Sequence, residues 1–511
     1  MTKAETTPKD AAAIILLRNN TNPVDPEVFW VRRSPRLAFL GGFNAFPGGQ
    51  LDQCDTEVQV ADCDDPQAAA AISCAARELF EELGVLATRG GEQLTKGQRV
   101  SILDDLTSGR MSWPQILQHY ELHLDAADFT FVGRWVTPPF SARRFDTWFF
   151  LLTCPSKQEP SVIPGELESG EWISASNAVQ KWRKGRVVAV PPTLHALTTL
   201  ASGMTADLET RFLAIPEASG QVVRRIEFRP NYICFPVRTP TKPPATHTNC
   251  YLIYTSEEVL IVDPGSPYEG EQAALAETVN QLLSESRRVH EIVLTHRHRD
   301  HVAGVNALQS QLPDKVDVAA HLLTAEALKG TLEVNRLIQD NDQITLDGEP
   351  QITLQAMHTP GHARGHLCLY DEPNGTLLSG DNVVGLGSVL IDPPEGNMRQ
   401  YFDSLQRMAA VPKLSLILGG HGPAIANPHN KLDEYINHRR KRENEILKAV
   451  GNGAETTTEI VQIVYTDVSP KLHPMAKRAI LAHLEKLAED GLVRRDQGKW
   501  KPMETLKSGR E

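Results

Sequence analysis

The hexapeptide His296-Arg297-His298-Arg299-Asp300-His301 places three imidazoles and a carboxylate within six positions, directly after the apolar run Glu291-Ile-Val-Leu-Thr295. Neutral imidazole and carboxylate are ligands that a zinc-type cation takes, and a catalytic site keeps one position open for water. A two-metal site needs about six or seven protein ligands, so partners elsewhere in the chain are required. Three downstream residues qualify: His362 in Thr359-Pro-Gly-His-Ala-Arg-Gly-His366, Asp381 in Ser379-Gly-Asp-Asn382, and His421 in Gly419-Gly-His-Gly-Pro423. Each follows a short apolar run, around Leu354–Met357, Thr376–Leu378 and Leu416–Leu418, which predicts a loop at a strand end. A lone HxH is usually a solvated turn; four ligand types in one hexapeptide plus three at strand ends outweigh that reading. A cation pair held there would lower the pKa of a shared water and polarise the carbonyl or phosphoryl oxygen under attack, with Asp300 and Asp381 partly neutralising it. His366 has two readings, a substrate contact or a packed turn histidine, and His358 reads as structural.

The order HxHxDH, then His, Asp and His closely resembles the metallo-β-lactamase superfamily. That resemblance implies an αββα sandwich in which His296, His298 and His362 hold one metal and Asp300, His301 and His421 the second, with Asp381 bridging. The ions implied are Zn, Mn or Fe. Thr248-Asn-Cys-Tyr-Leu-Ile253 and Leu260-Ile-Val-Asp-Pro-Gly265 resemble the opening strands of that fold. The stretch Gly396 to Leu405, the Gly420-His-Gly-Pro423 turn and the segment His438 to Leu447 are similar to one branch of the superfamily. That branch contains a mitochondrial single-strand endoribonuclease and many bacterial hydrolases. The scaffold cleaves thioesters, lactams and phosphodiesters alike, so the resemblance leaves the substrate open.

A second constellation lies in the first third. Phe46-Pro-Gly-Gly49 is followed by Arg77-Glu-Leu-Phe-Glu-Glu-Leu-Gly-Val85. Ala68–Leu83 has helix formers without internal proline; Pro66 just before it and Gly84 at its end suit a helix start and stop. Glu78, Glu81 and Glu82 then project from one face at i, i+3, i+4, where like charges repel unless a cation or an arginine sits among them. A solvated acidic face is the alternative, and the flanking glycines argue against it. The segment resembles the Nudix box, implying an α/β/α sandwich. Glu78, Glu81 and Glu82 would bind Mg or Mn and help activate water, Arg77 would orient a glutamate, and Gly48-Gly49 would form the substrate-side loop. It departs from the box in its first half: the acidic position is Asp55, with Asp52 as a possible substitute, and Arg77 comes twenty-one residues after it instead of seven. An insertion there is similar to the branch containing peroxisomal coenzyme A diphosphatases. Arg144-Phe-Asp-Thr-Trp-Phe-Phe150 and Gly170-Glu-Trp-Ile173 read as later strands.

The frame around these motifs is a 511-residue chain, too long for one ordinary domain. Seven cysteines, at 54, 63, 74, 154, 234, 250 and 368, show no CxxC spacing, which points to a reducing compartment and a cytoplasmic protein. The apolar run Ala11–Leu17 is far too short to span a bilayer, and a net charge of -12 gives no global affinity for nucleic acid or membranes. In the tail, Tyr435–Val450, a short helix capped at Thr456-Thr-Thr-Glu459, Met475–Asp490 and two extended pieces around Asp496-Gln-Gly498 make a winged-helix pattern. Residues 435–511 hold fifteen Lys and Arg against eleven Asp and Glu, a local reversal that suits a phosphate backbone, while packing or dimerisation is the plainer role. The expected organisation is a multidomain α/β chain: Nudix over 8–205, a linker over 206–229, the metallo-β-lactamase domain over 230–430 and the winged helix over 431–504. Its expected substrates are small molecules, an acyl-CoA or a nucleotide conjugate, with single-stranded RNA as the alternative. The first domain has a further alternative, a nucleotide-sensing module that regulates the second.

Overall fold

The computed structural model describes residues 7–37, 39–141, 143–466 and 468–503. Contacts divide the chain into two compact units between Ile233 and Cys234. No helix among the described residues is long and apolar enough to cross a membrane, and all seven cysteines are free thiols.

In the first unit the run Ala11–Leu17 belongs to the strand Lys9–Leu17, buried over its last seven residues. That strand lies parallel to Phe145–Thr153 and antiparallel to Gly48–Gln50, with Ala12 opposite Gly49 and Ala13 opposite Gly48. The sheet order is Asn44–Ala45, Glu27–Arg33, Lys9–Leu17, Phe145–Thr153, Thr130–Val136, and Leu167–Ser174 pairs with Glu27–Arg33. The helix Pro66–Leu83 starts at Asp65, whose side chain accepts from the Gln67 N–H, and stops at Gly84 with φ +67°. Its apolar side, with Leu79, Phe80 and Leu83, joins Ile14, Leu16 and Phe150 in one core. The stretch between Gly49 and Arg77 is occupied by a 3-10 turn, Gln53–Glu57, and a short strand, Val60–Ala61, paired with Leu124–Asp125. Leu208–Phe212 is a short helix of this unit with Phe212 buried, and the Phe212 carbonyl lies 2.8 Å from His195 Nε2.

The second unit contains two sheets whose strands follow chain order. One includes His247–Tyr254, Glu258–Val262, Arg288–Val293, Val318–His321 and Arg336–Ile338, parallel from the second of these onward. The other runs Gln343–Leu346, Ile352–His358, Leu367–Asp371, Thr376–Gly380, Leu416–Gly419. Glu258–Val262, Leu367–Asp371 and Thr376–Gly380 are buried throughout, as strands covered on both faces require. Three helices, Pro428–Gly451, Thr457–Val464 and His473–Glu489, and the hairpin Val493–Asp496 with Lys499–Pro502 complete the unit. Thr456 and Glu459 form the reciprocal cap expected of them. Ile446, Ile460, Ile480, Leu484 and Trp500 close a small core of their own.

Candidate metal centre and carboxylate cluster

Four loops at strand ends carry the histidine cluster. The hexapeptide follows Arg288–Val293, His362 follows Ile352–His358, Asp381 follows Thr376–Gly380, and His421 follows Leu416–Gly419. His298 Nδ1 stands 2.9 Å from His296 Nε2 and 3.0 Å from His362 Nε2. One donor atom each of His296, His298, His362 and Asp381 lies within 4.8 Å of the others, and Asp300, His301 and His421 form a second such group. The two groups meet at Asp381. Its Oδ2 is 3.6 Å from His362 Nε2, while its Oδ1 is 3.4 Å from His301 Nε2 and 3.3 Å from His421 Nε2. Gly420 permits this approach, since a Cβ there would fall 2.5 Å from Asp381 Oδ1.

The protonation pattern suits cations. Burial holds the imidazoles of His296 and His362 below their ordinary range and brings His298 down to about 3, so all three present free lone pairs. Burial opposes charge on His301 and Asp381 as well, but Asp381 and Asp263 raise the histidine against it, and His421 and His301 lower the aspartate. His301 Nε2 and Asp381 Oδ1 are buried without a hydrogen bond, a costly arrangement for a site that receives no ion. The outward nitrogens are fixed. His362 Nδ1 donates to the Leu390 carbonyl at 3.0 Å and His421 Nδ1 to the His247 carbonyl at 2.7 Å. His301 Nδ1 is 2.8 Å from Asp263 Oδ2, which also accepts from Thr295 Oγ1 at 2.6 Å. Such outer partners select the tautomer and aim the inner nitrogen. The donor set and the unpaired inner atoms therefore fit a pair of borderline divalent cations.

Asp263 is the residue that sequence reasoning left without a role. It is buried, has φ +54°, and accepts from the Thr295 N–H as well. His366 has the packed-histidine geometry: it is fully buried and its Nε2 accepts from the Asp381 N–H at 3.1 Å, holding that loop. His358 stacks on His321 with ring centroids 4.0 Å apart.

In the first unit the helix brings Glu78, Glu81 and Glu82 to the Gly48-Gly49 turn. Glu82 Oε2 accepts from the Gly48 N–H at 2.9 Å, and a Cβ on Gly49 would fall 2.3 Å from the Glu78 carboxyl carbon. Arg77 pairs with Glu78 at 2.9 Å and Glu81 at 3.2 Å. It also grips Asp55 through Nε at 3.1 Å and Nη2 at 2.9 Å, so the counted box position is the one engaged. Asp52 instead caps the 3-10 turn, accepting from the Cys54 N–H. Burial pushes Glu78 up to about 7 and, with Glu78 as neighbour, Glu82 up to about 8; it raises Glu81 as well. The three carboxylates do not converge within 4.8 Å as the histidine groups do, Arg77 standing between two of them.

Residues 243–421 match the profile of the metallo-beta-lactamase superfamily, and residues 456–500 that of the beta-lactamase associated winged helix domain. The chain is 32% identical over 247 residues to the beta-lactamase-like protein 2 homolog of Caenorhabditis elegans, covering 48% of this chain and 80% of that protein. It is 27% identical over 276 residues to an atrochrysone carboxyl ACP thioesterase of Paecilomyces divaricatus, covering 51% and 82% respectively. A solved NUDIX hydrolase from Alicyclobacillus acidocaldarius is 33% identical, with a TM-score of 0.36 over 40% of this chain and 96% of its own. The matches and the histidine-carboxylate cluster define the class: a hydrolase. The chain belongs to the metallo-beta-lactamase superfamily and carries the winged-helix domain associated with it.

Proposed function

We propose that the second unit hydrolyses small-molecule acyl thioesters at a dinuclear centre, and that the first is a Nudix hydrolase for a nucleoside diphosphate-linked substrate. The observation that carries the first half is the convergence of three neutral imidazoles on Asp381, beside the unpaired His301 Nε2. His296, His298 and His362 would hold one ion and Asp300, His301 and His421 the other, with Asp381 belonging to the first group and adjoining the second; Zn, Mn and Fe suit these residue types. When bound, the ions supply a nucleophilic water at neutral pH and polarise the acyl carbonyl. Asp300 is kept ionised by His301 against its burial, so its carboxylate would be available as an anionic ligand and hydrogen-bond acceptor at the centre. Asp263 keeps His301 aimed inward.

The thioesterase relative supports a thioester substrate. Small molecules are favoured over RNA because a net charge of -12 gives no global attraction for a polyanion and several basic residues of the last helices are consumed internally. Arg439 donates to the Val389 carbonyl, Arg442 pairs with Glu445 at 3.0 Å, and Lys486 pairs with Glu443 at 2.8 Å. In the first unit Glu78, Glu81 and Glu82 would hold Mg or Mn, hard ions suited to oxygen ligands, with Arg77 orienting Glu78 and Glu81. The domain limits that go with this reading are 8–205, a connector over 206–229, 230–430 and 431–504.

The test is a paired turnover assay on the full chain with Zn and Mg or Mn supplied. It offers acyl thioesters, single-stranded RNA and nucleoside diphosphate conjugates to the parent protein, His298→Ala and Glu82→Gln. Thioester cleavage lost only in His298→Ala and diphosphate cleavage lost only in Glu82→Gln is the expected pattern. RNA cleavage lost in His298→Ala with silent thioesters would replace the proposal with a nuclease.

A further inference from the structure

The loops that carry the histidine cluster also carry unspent positive charge. Arg299 stands between His298 and Asp300, and Arg364 stands two residues past His362; both are exposed. Neither makes an ion pair or a side-chain hydrogen bond among the described residues, in contrast to the tail's Arg439, Arg442 and Lys486. Lys242 is exposed and equally unpaired, and its neighbour Thr241 places Oγ1 3.4 Å from His421 Nε2. Arg297, between His296 and His298, is half-exposed and held by Glu395 Oε1 at 3.1 Å; the same oxygen accepts from the Arg364 N–H at 3.2 Å. Glu395 thus joins the Arg297 and Arg364 loops. Asp340, which accepts from the His358 N–H, pairs with Arg407 at 2.8 Å, and Asp392 pairs with Arg478.

Four cationic residues thus lie on or beside the ligand-bearing loops, three of them without an ion pair or side-chain hydrogen bond among the described residues. Guanidinium groups present paired donors that match carboxylate and phosphate oxygens, and near a partly desolvated cleft they discriminate strongly for an anion. Building on the thioesterase reading, we propose that Arg299, Arg364 and Lys242 form an anion-recognition rim, so that the substrate of the second unit is a thioester bearing a carboxylate or phosphate group away from the scissile bond. The charge has two possible sources, the acyl part or the thiol carrier. The net charge of -12 favours a compact anion over an extended polyanion.

Three matched substrates separate the sources: S-acetylpantetheine, which is neutral, S-acetyl-4′-phosphopantetheine, charged on the carrier, and S-succinylpantetheine, charged on the acyl group. None contains a diphosphate, so the first unit has nothing to cleave. The protein should prefer one charged ester over the neutral one in kcat/KM. That preference should fall about tenfold or more in Arg364→Gln and in Arg299→Gln, return in Arg364→Lys, and weaken with salt. Calorimetric binding of 4′-phosphopantetheine against pantetheine, and of succinate against acetate, reads the same rim without turnover. If no thioester is cleaved yet the charged ligand binds better and loses that advantage in Arg364→Gln, the thioesterase reading fails and the rim stands. Equal handling of charged and neutral partners, or a preference untouched by all the glutamine variants, overturns the rim. A single-stranded oligonucleotide that binds more tightly than either small anion, through the same arginines, overturns its assignment to a compact ligand.

Discussion

The two clusters solve the problem of crowding cation ligands in opposite ways. In the second unit the residues come from four separate loops; His296, His298 and His362, which crowd to within 3.0 Å, are neutral nitrogens, while His301 and His421 face the carboxylate of Asp381. In the first unit three carboxylates come from a single helix, and the repulsion is relieved by Arg77 and by protonation of Glu78 and Glu82 near 7 and 8. Ligands spread across a fold are positioned by the whole fold. Carboxylates along one helix are set by helical spacing, with Arg77 and the Gly48 N–H fixing their tips, and their burial strains the protein once they ionise.

Breaking the histidine centre should have the largest effect. His298→Ala should abolish second-unit turnover and metal retention, beyond the roughly 100-fold that loss of an outer partner costs, as read by elemental analysis and kinetics. Asp263→Asn should cost about 10- to 100-fold in metal affinity, because His301 loses its carboxylate partner while keeping its place. The carboxylate cluster should respond with the opposite sign in stability. Glu82→Gln removes first-unit activity yet stabilises the metal-free unit at pH 8 by of order 1 kcal/mol, since the amide keeps the Gly48 bond and sheds a charge. Loss of stability in that variant would contradict the account of strain. The smallest effect is a slope. The fold favours protonated Glu78 and Glu82, so their contribution is complete below the ordinary glutamate range and is lost as the pH rises through 7 and 8. Calorimetry of the chelated protein should show the first-unit transition falling over that interval, and added Mg or Mn should flatten the slope.

The inner ligands were legible because an apolar run followed by His or Asp is a local pattern, and each sits where a strand ends. Glu78, Glu81 and Glu82 were legible because helical spacing is also local. Asp263 was not: an Asp before Pro-Gly reads as a turn residue, and its two partners, Thr295 and His301, are 32 and 38 positions away. The choice between Asp52 and Asp55 was hidden for a similar reason, since it depends on a 3-10 turn that points one carboxylate at Arg77 and spends the other on a cap. The tail's basic stretch was visible as charge but not as packing. Arg439 is buried, lying over the Tyr401 ring, which composition alone cannot reveal.

The helix Met398–Ala409 touches two of the four loops that carry the cluster. Ser404 Oγ donates to the Pro360 carbonyl, two residues before His362, and Tyr401 OH donates to the Asn382 carbonyl, next to Asp381. Its Arg399 is tied in turn to Glu489 and Asp490 at the end of the last long helix. Through this helix, and through Ala482 packed in one core with Tyr401 and Met408, the winged-helix segment adjoins the loops of His362 and Asp381 and is not hung apart from them.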